Sequence, residues 1–233
     1  VDEELKKKLL LTSANSINVA RWLPQQLYYF FACQQWQHEP PVICVPSGNF
    51  GNICAGMVAY ISGLPVQHFI AACNVNDVVP NFLQTGNYQP KPAVATISNA
   101  MDVGDPSNFV RIMELFEKKI DNLKSVLSSY SINDATTKKT IKEVYKKYNY
   151  TLDPHGAVGY YALNKYLSDC GDTIAGIFLE TAHPVKFPET VEEATNTKIA
   201  IPESVQYLLN RKKQSIKMDA SFEKLKEWLM DKM

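Results

Sequence analysis

The stretch from residue 42 to 59 constrains the fold of this chain more than any other. Residues 42–45 are apolar and mostly β-branched, residues 46–52 read PSGNFGN, and residues 53–59 are apolar with Ala and Gly among them. This order predicts a buried strand, a tight turn and a closely packed helix. Glycines in such a turn let backbone N–H groups approach an anion, and the helix N-terminus adds unpaired donors. The stretch therefore fits a phosphate site or, more simply, an ordinary strand-to-helix connection.

The turn matches neither of the standard nucleotide-binding patterns, GxGxxG and GxxxxGK[ST]. Residues 63–65 (GLP) end the predicted helix, and residues 66–72 form a second strand-like run. A strand, a helix and a strand at this short spacing indicate a βαβ unit with parallel strands. A third strand is predicted at residues 173–179. The sequence thus predicts an α/β fold: a three-layer sandwich with a mainly parallel sheet flanked by helices.

Composition excludes several functional classes. The chain has 233 residues, 45% of them hydrophobic, which is enough to bury a substantial core. Lysine plus arginine and aspartate plus glutamate number 24 each, so we expect no nucleic-acid partner and no membrane partner. No uncharged apolar run approaches the ~20 residues of a membrane span. The five cysteines lack metal-ligand spacing and are typical of buried reduced thiols, so we expect a soluble cytoplasmic protein without a metal site.

The remaining predicted elements are helices and one long loop. Residues 19–36 carry apolar side chains at helical spacing, with Pro24 expected to kink or restart the helix, and the aromatic residues 28–31 are expected in the core. Residues 88–106 are expected to form a long ordered loop. Further helices are predicted at residues 78–83, 107–117 (capped by Asp105 and Pro106), 120–128, 135–148, 153–167, 188–196 and 222–232, the last with a buried stripe of Phe222, Leu225 and Leu229.

Six short motifs are distributed along the chain. They are residues 13–18 (SANSIN) with Arg21, 46–52 (PSGNFGN), 74–77 (NVND), 98–103 (SNAMDV), 153–155 (DPH) and 181–187 (TAHPVKF). In this order and spacing they resemble threonine synthase, a pyridoxal-phosphate-dependent enzyme of fold type II. Each motif alone is modest, but six in order are highly specific. The resemblance implies the large-domain part of such an enzyme, with helical additions at about residues 105–150 and 188–233.

The resemblance implies pyridoxal 5'-phosphate as cofactor and O-phospho-L-homoserine as substrate, which reacts with water to give L-threonine and phosphate. The family's cofactor-phosphate loop matches Gly48, Asn49, Phe50, Gly51 and Asn52. This agrees with the anion site that the residues themselves suggest. Thr181 matches the hydroxyl that meets the pyridine nitrogen, and a neutral hydroxyl does not strongly favour a protonated ring. By spacing alone, Thr181 would simply end a strand or cap the residues after it.

The resemblance also implies a substrate side. Asn15 and Ser16 match a family segment whose amide and hydroxyl donors could hold a carboxylate or phosphate. Arg21 belongs to the same motif but could equally pair with a neighbouring carboxylate. Asp153 and His155 lie where a helix N-terminus could face the cofactor as active-site rim residues, although helix capping and core packing explain them equally well.

One family feature is missing. The Schiff-base lysine belongs to an N-terminal portion that these residues do not contain, and no lysine here matches its motif. His183 and Lys186 are expected to be structural or rim residues, and Asn99 and Asp102 receive no physical role. We therefore expect residues 1–233 to be the C-terminal portion of a threonine synthase, inactive alone and prone to self-association through the surface left by the missing portion.

Two other functions stay open. The chain could be a noncatalytic module that binds a phosphate ligand, for which ordered phosphate at residues 48–52 in a well-folded monomer would be diagnostic. It could also come from a threonine-synthase-like phospholyase, which eliminates phosphate without adding water. Product analysis of the complete protein separates the last case, because threonine synthase yields threonine and the phospholyase yields a keto acid.

Overall fold

The computed structural model describes residues 2–12, 15–171, 174–208 and 210–231. The elements in these ranges are, in chain order, α1 (Glu3–Lys8), α2 (Val19–Trp22), α3 (Gln26–Gln35), β1 (Val42–Pro46), α4 (Gly51–Ile61), β2 (His68–Cys73), α5 (Val78–Thr85), α6 (Phe109–Leu115), α7 (Ile120–Val126), β3 (Leu127–Ser131), α8 (Asp134–Tyr148), α9 (Pro154–Cys170), β4 (Gly176–Phe178), α10 (Pro188–Thr195), α11 (Glu203–Gln206) and α12 (Phe222–Asp231). The chain divides into two units, Asn15–Ala200 and the two terminal segments together. The motif residues Ser13 and Ala14 lie outside the described ranges, as do Thr173 and Lys232, the first and last residues of two predicted elements.

The four strands form one parallel sheet in the order β3-β2-β1-β4. Val42 at the start of β1 is in register with His68 of β2 on one side and with Gly176 of β4 on the other. The predicted βαβ unit is therefore confirmed, with α4 connecting β1 to β2. Because the strands are parallel, the turns at their carboxyl ends meet at one edge of the sheet.

Side chains of β1 alternate between two apolar layers, as a strand buried on both faces requires. Ile43 and Val45 pack in a cluster that includes residues of α4, whereas Val42 and Cys44 pack in a cluster that includes residues of α9. Helices thus cover both faces of the sheet. The predicted three-layer α/β sandwich is confirmed.

The prediction of a helix over residues 120–128 is wrong at its C-terminal end. Helix α7 ends at Val126, and Leu127–Ser131 forms a strand beside β2. Ser129 Oγ donates a hydrogen bond to the carbonyl oxygen of Ala71 in β2 at 2.7 Å. This strand lies at the edge of the sheet and is rich in serine, so it lacks the apolar pattern that indicates a buried strand.

Helix α6 begins later than predicted, and Asp105 and Pro106 do not form its N-terminus. The helix starts at Phe109, with Asn108 in the capping position. The reason is a contact from a distant part of the chain: the backbone N–H and Oγ of Ser107 both donate to Asn49 Oδ1, at 2.7 and 2.9 Å. This contact holds the residues before α6 in a turn against the loop after β1.

The predicted interruption of the helix at Pro24 is confirmed, since a 3-10 turn at Leu23–Gln25 separates α2 from α3. The prediction that the aromatic residues 28–31 lie in the core is wrong for most of them. Tyr29 is buried, whereas Tyr28 and Phe31 are 67% and 65% exposed. The face of α3 that carries Tyr29 therefore packs against α4, whereas the opposite face exposes a large apolar surface.

Helix α12 belongs to the terminal unit, where Lys226 forms ion pairs with Asp2 and Glu4. The predicted burial of its apolar stripe is wrong, because Phe222 and Leu225 are both exposed.

The prediction that the cysteines are buried is confirmed for Cys44, Cys54 and Cys73. Cys33 is only partly buried, and the prediction is wrong for Cys170, which is exposed. Within the described ranges, no helix has the length and hydropathy that a bilayer span needs, and no cluster of His, Cys, Asp and Glu is placed to hold a metal ion.

Candidate functional site

The loop between β1 and α4 has a strained backbone. Phe50 precedes α4 with φ 61° and ψ 14°, in the left-handed region that bulky residues rarely adopt. Its ring is buried and packs edge-on against Phe109, with ring centroids 5.7 Å apart. Packing of the ring therefore offsets the backbone strain, a pattern that often marks functional turns. Among the described residues, no side chain caps the N-terminus of α4.

Two glycines of this loop lie where other segments approach closely. A Cβ atom on Gly48 would lie 2.6 Å from the Cα atom of Met101, so a side chain at this position collides with backbone. A Cβ atom on Gly51 would lie 3.1 Å from Ser16 Cβ. The loop after β1 is thus packed between two segments that carry predicted motifs, around Ser16 and around Met101.

The side chain of Asn49 holds the loop in place. Its Nδ2 donates to Ser16 Oγ at 2.6 Å, and its Oδ1 accepts from Ser107. Asn108 Nδ2 donates to the carbonyl oxygen of Asn49 at 2.9 Å. Because this amide is committed to protein partners, the groups suited to an anion are the backbone N–H groups in the first turn of α4.

Asn52 is fixed from the opposite side by Tyr29. The Tyr29 hydroxyl donates to Asn52 Oδ1 at 2.8 Å and lies 3.0 Å from the Asn52 carbonyl oxygen. The Tyr29 ring occupies the space beside Gly56, where a Cβ atom would come within 2.5 Å of it. Burial raises the pKa of Tyr29 well above its ordinary value, so this hydroxyl keeps its proton and remains a donor.

We expect Tyr29→Phe to lower the free energy of unfolding by about 1–2 kcal/mol, because Asn52 loses a donor in a largely buried position. The matched control is Tyr28→Phe, whose side chain is exposed and should change stability by less than about 0.5 kcal/mol. Urea unfolding of the complete protein measures both. Equal changes for the two variants would show that the contact between Tyr29 and Asn52 does not stabilise the loop.

A buried polar network gives Asp102 the role that the sequence did not reveal. Its Oδ1 accepts hydrogen bonds from Asn74 Nδ2 at 2.8 Å, Asn76 Nδ2 at 3.1 Å and Thr96 Oγ1 at 2.7 Å. Its Oδ2 accepts from the backbone N–H of Thr96 at 3.0 Å. The network ties the long loop to the end of β2, and so positions the turn at Asn99–Met101 against the loop after β1. In the sequence, the one indication of this network was the pair of asparagines, Asn74 and Asn76, that follows the predicted strand at residues 66–72.

Arg111 is a site residue that the sequence interpretation missed. Its Nη1 donates to Asn108 Oδ1 at 2.6 Å and its Nη2 donates to the carbonyl oxygen of Ile17 at 2.7 Å. The guanidinium therefore connects the segment around Ser16 to the residue that holds the carbonyl of Asn49. In the sequence, Arg111 belongs to a charge-rich region typical of a solvated helix face, so the pattern did not indicate a role in the site.

The predicted substrate residues lie in two places. Asn15 and Ser16 are adjacent to the loop, since Ser16 bonds to Asn49 and its Oγ donates to Asn15 Oδ1 at 3.3 Å. Asn15 Oδ1 also accepts from the backbone N–H of Ile17 at 3.2 Å. Arg21 is exposed and lies in α2.

The predicted ring-nitrogen residue lies at the same edge of the sheet as the loop. β4 pairs with β1 and ends at Phe178, and Thr181 comes three residues later with its side chain exposed. His183 Nδ1 accepts from the backbone N–H of Val185 at 3.1 Å and caps a short 3-10 turn, which agrees with the structural role expected for it.

Asp153 and His155 form a buried pair at the N-terminus of α9. Asp153 Oδ1 accepts from the backbone N–H of His155 at 2.8 Å and lies 2.7 Å from His155 Nδ1. Asp153 is thus the N-cap that the sequence suggested. The ring of His155 packs against Phe187, with centroids 4.9 Å apart.

Comparison with known proteins identifies the family. Residues 3–177 match the family model described as "Pyridoxal-phosphate dependent enzyme", and residues 156–229 match the one described as "Threonine synthase, C-terminal". The chain belongs to the threonine synthase family of pyridoxal-phosphate-dependent enzymes. The family resemblance stated from the six motifs is therefore confirmed.

Individual threonine synthases match almost the whole chain. The threonine synthase of Escherichia coli K12 is 46% identical over 233 residues, which is 99% of this chain and 53% of that protein. The crystal structure of the Escherichia coli threonine synthase superposes with a TM-score of 0.91 at 44% identity, covering 99% of this chain and 54% of that one. The pyridoxal-phosphate-bound threonine synthase of Brucella melitensis gives a TM-score of 0.87 at 30% identity, covering 99% and 55%. The chain spans about half the length of the threonine synthases that it matches.

The residues of this chain fit a phosphate-bearing group. The uncapped N-terminus of α4, the left-handed Phe50 and the close approach at Gly48 together form a turn suited to a phosphate. Thr181 offers a hydroxyl beyond the adjacent strand, at the edge where open parallel sheets bind ligands.

Proposed function

We propose that the complete protein containing this chain converts O-phospho-L-homoserine and water to L-threonine and phosphate, as a pyridoxal-phosphate-dependent carbon–oxygen lyase. When bound, the cofactor's conjugated ring supplies an electron sink for carbanions at the substrate. The observation that supports this proposal most is the loop at residues 48–52, with its uncapped helix N-terminus and left-handed Phe50, in a chain of the threonine synthase family.

Each predicted site residue has a proposed role. The cofactor phosphate is bound by the loop Gly48, Asn49, Phe50, Gly51 and Asn52. In this proposal the loop acts through backbone N–H groups, since the side chains of its asparagines already bond to protein. Thr181 meets the pyridine nitrogen, Asn15, Ser16 and Arg21 line the substrate side, and Asp153 and His155 stand at the rim.

The 233 residues on their own are proposed to be inactive, because none of their lysines matches the family's Schiff-base motif. We also propose that the apolar face of α2 and α3 contacts other protein, either the rest of the complete protein or a second copy of the chain. This face exposes Ile17, Val19, Leu23, Leu27, Tyr28, Phe30 and Phe31. An exposed patch of this kind is typical of an interaction surface.

Two assays test the proposed function. With pyridoxal phosphate, the complete protein is expected to release one threonine and one phosphate for each O-phosphohomoserine consumed. A keto acid in place of threonine would indicate a phospholyase, and no turnover would contradict the proposal. The 233 residues alone are expected to give neither threonine nor the absorbance band of a lysine-bound cofactor, and a stoichiometric lysine adduct with threonine formation would show that they are active.

A further inference from the structure

Asp153 has one oxygen atom without a donor. Its side chain is fully buried, and Oδ1 receives both hydrogen bonds from His155. Among the described residues, no group donates a hydrogen bond to Oδ2 when the carboxyl groups of Asp153 and its neighbour Glu180 are both ionised. A buried carboxylate oxygen without a hydrogen bond destabilises a fold considerably, so a donor is expected there.

The nearby group that can become that donor is another carboxyl group, that of Glu180. Glu180 Oε1 accepts from the backbone N–H of Asp153 at 3.3 Å, and this bond places the Glu180 carboxyl group beside that of Asp153, close enough for the two to interact. Although Glu180 as a whole is exposed, its carboxyl group lies against buried Gly156, where a Cβ atom would come within 2.1 Å of it. Two carboxyl groups can hydrogen-bond to each other only when one of them carries a proton.

We propose that Glu180 carries this proton and donates it to Asp153 Oδ2, so that one shared proton fastens the turn leading to Thr181 onto the N-terminus of α9. Asp153 is the acceptor because its two bonds from His155 favour the ionised form. Glu180, by contrast, receives one long hydrogen bond from the described residues, the one from the backbone N–H of Asp153. The absence of a side chain at Gly156 leaves the space that the Glu180 carboxyl group fills.

The electrostatics of the pair agree with this assignment. Burial, and after it the interaction with Asp153, raises the pKa of Glu180 to about 8. Burial also acts to raise the pKa of Asp153, but the hydrogen bonds from His155 and Glu180 hold it below its ordinary value.

Glu180 also lines a cleft of about 390 Å³. The other titratable groups around Glu180 are Tyr145, Tyr150, His155, His183 and Lys198, the last of which is paired with Glu192.

The pH dependence arises from the raised pKa of Glu180. The folded protein keeps a proton that the unfolded chain releases near pH 4.5, so this contribution to stability is complete below that pH. It decreases as the pH rises and is lost once the pH passes about 8. Glu180→Gln replaces the titrating O–H with an N–H that donates to Asp153 at every pH.

The test compares the melting temperatures of the complete wild-type protein, Glu180→Gln and Glu180→Ala from pH 5 to 9. Relative to Glu180→Gln, the wild type is expected to lose roughly 4–8 °C across this range, and Glu180→Ala should melt below Glu180→Gln throughout. Parallel pH profiles for wild type and Glu180→Gln would overturn the proposal. Carbon-13 NMR of the Glu180 carboxyl in the wild type provides a second readout: titration near pH 8 supports the shared proton, and titration near pH 4.5 overturns it.

Discussion

Gly48→Val in the complete protein is expected to weaken binding of pyridoxal phosphate on the order of 100-fold. The new Cβ atom would lie 2.6 Å from the Cα atom of Met101 and 3.0 Å from the carbonyl oxygen of Ala100, so the contact is with backbone that cannot rotate away. Either the loop after β1 or the turn at Asn99–Met101 must move. Titration of the cofactor, monitored by its absorbance, measures the change.

Gly63→Ala is the matched control for this substitution. No atom lies within 4 Å of a Cβ atom on Gly63, whose φ of +102° is in the region that favours glycine. The substitution should cost about 1–2 kcal/mol of stability through backbone strain and leave cofactor affinity within about twofold. Similar losses of affinity for both glycine variants would show that the close approach at Gly48 does not shape the site.

Asp102→Ala is expected to lower the free energy of unfolding by about 3–5 kcal/mol. The substitution removes the acceptor for the amides of Asn74 and Asn76 and for both the hydroxyl and the backbone N–H of Thr96. Asn74 and Asn76 are themselves buried, so their amides lose partners that water cannot readily replace. Urea unfolding measures the loss, and cofactor titration should show weaker binding because the loop against Gly48 is less well held.

The control for Asp102 is Asp105→Ala, in the same loop. Asp105 accepts one exposed hydrogen bond, from the Tyr88 hydroxyl at 2.9 Å, so its removal should cost less than about 1 kcal/mol. A loss at Asp102 no larger than that at Asp105 would mean that the buried network does not hold the loop.

The sequence predicts the parts of the fold that local patterns determine. The run from Val42 to Ala59 carries its own signals for strand, turn and helix, and the observed β1 and α4 agree with them. The errors arise where a distant contact decides the structure. Strand β3 forms because β2 offers it partners, and α6 starts late because Ser107 is held by Asn49, which lies 58 positions away.

The candidate site divides in the same way. The loop at residues 48–52 and the cap at Asp153 were both indicated by the sequence, the first by its glycines and the second by its place before a proline-started helix. The sequence did not indicate the contacts that hold the site together. The hydrogen bonds from Tyr29 to Asn52 and from Arg111 to Ile17 join positions far apart in the chain. Residue types alone do not indicate such pairs, because each has many possible partners until the fold brings one close.

The proposed function requires that the loop at residues 48–52 bind the phosphate of pyridoxal phosphate. A crystal structure of the complete protein with this cofactor tests that requirement. We predict phosphate oxygens at about 2.7–3.2 Å from backbone nitrogens of this loop, with the Thr181 hydroxyl at hydrogen-bonding distance from the pyridine nitrogen. A cofactor whose phosphate lies elsewhere, with this loop making no contact to it, would contradict the claim.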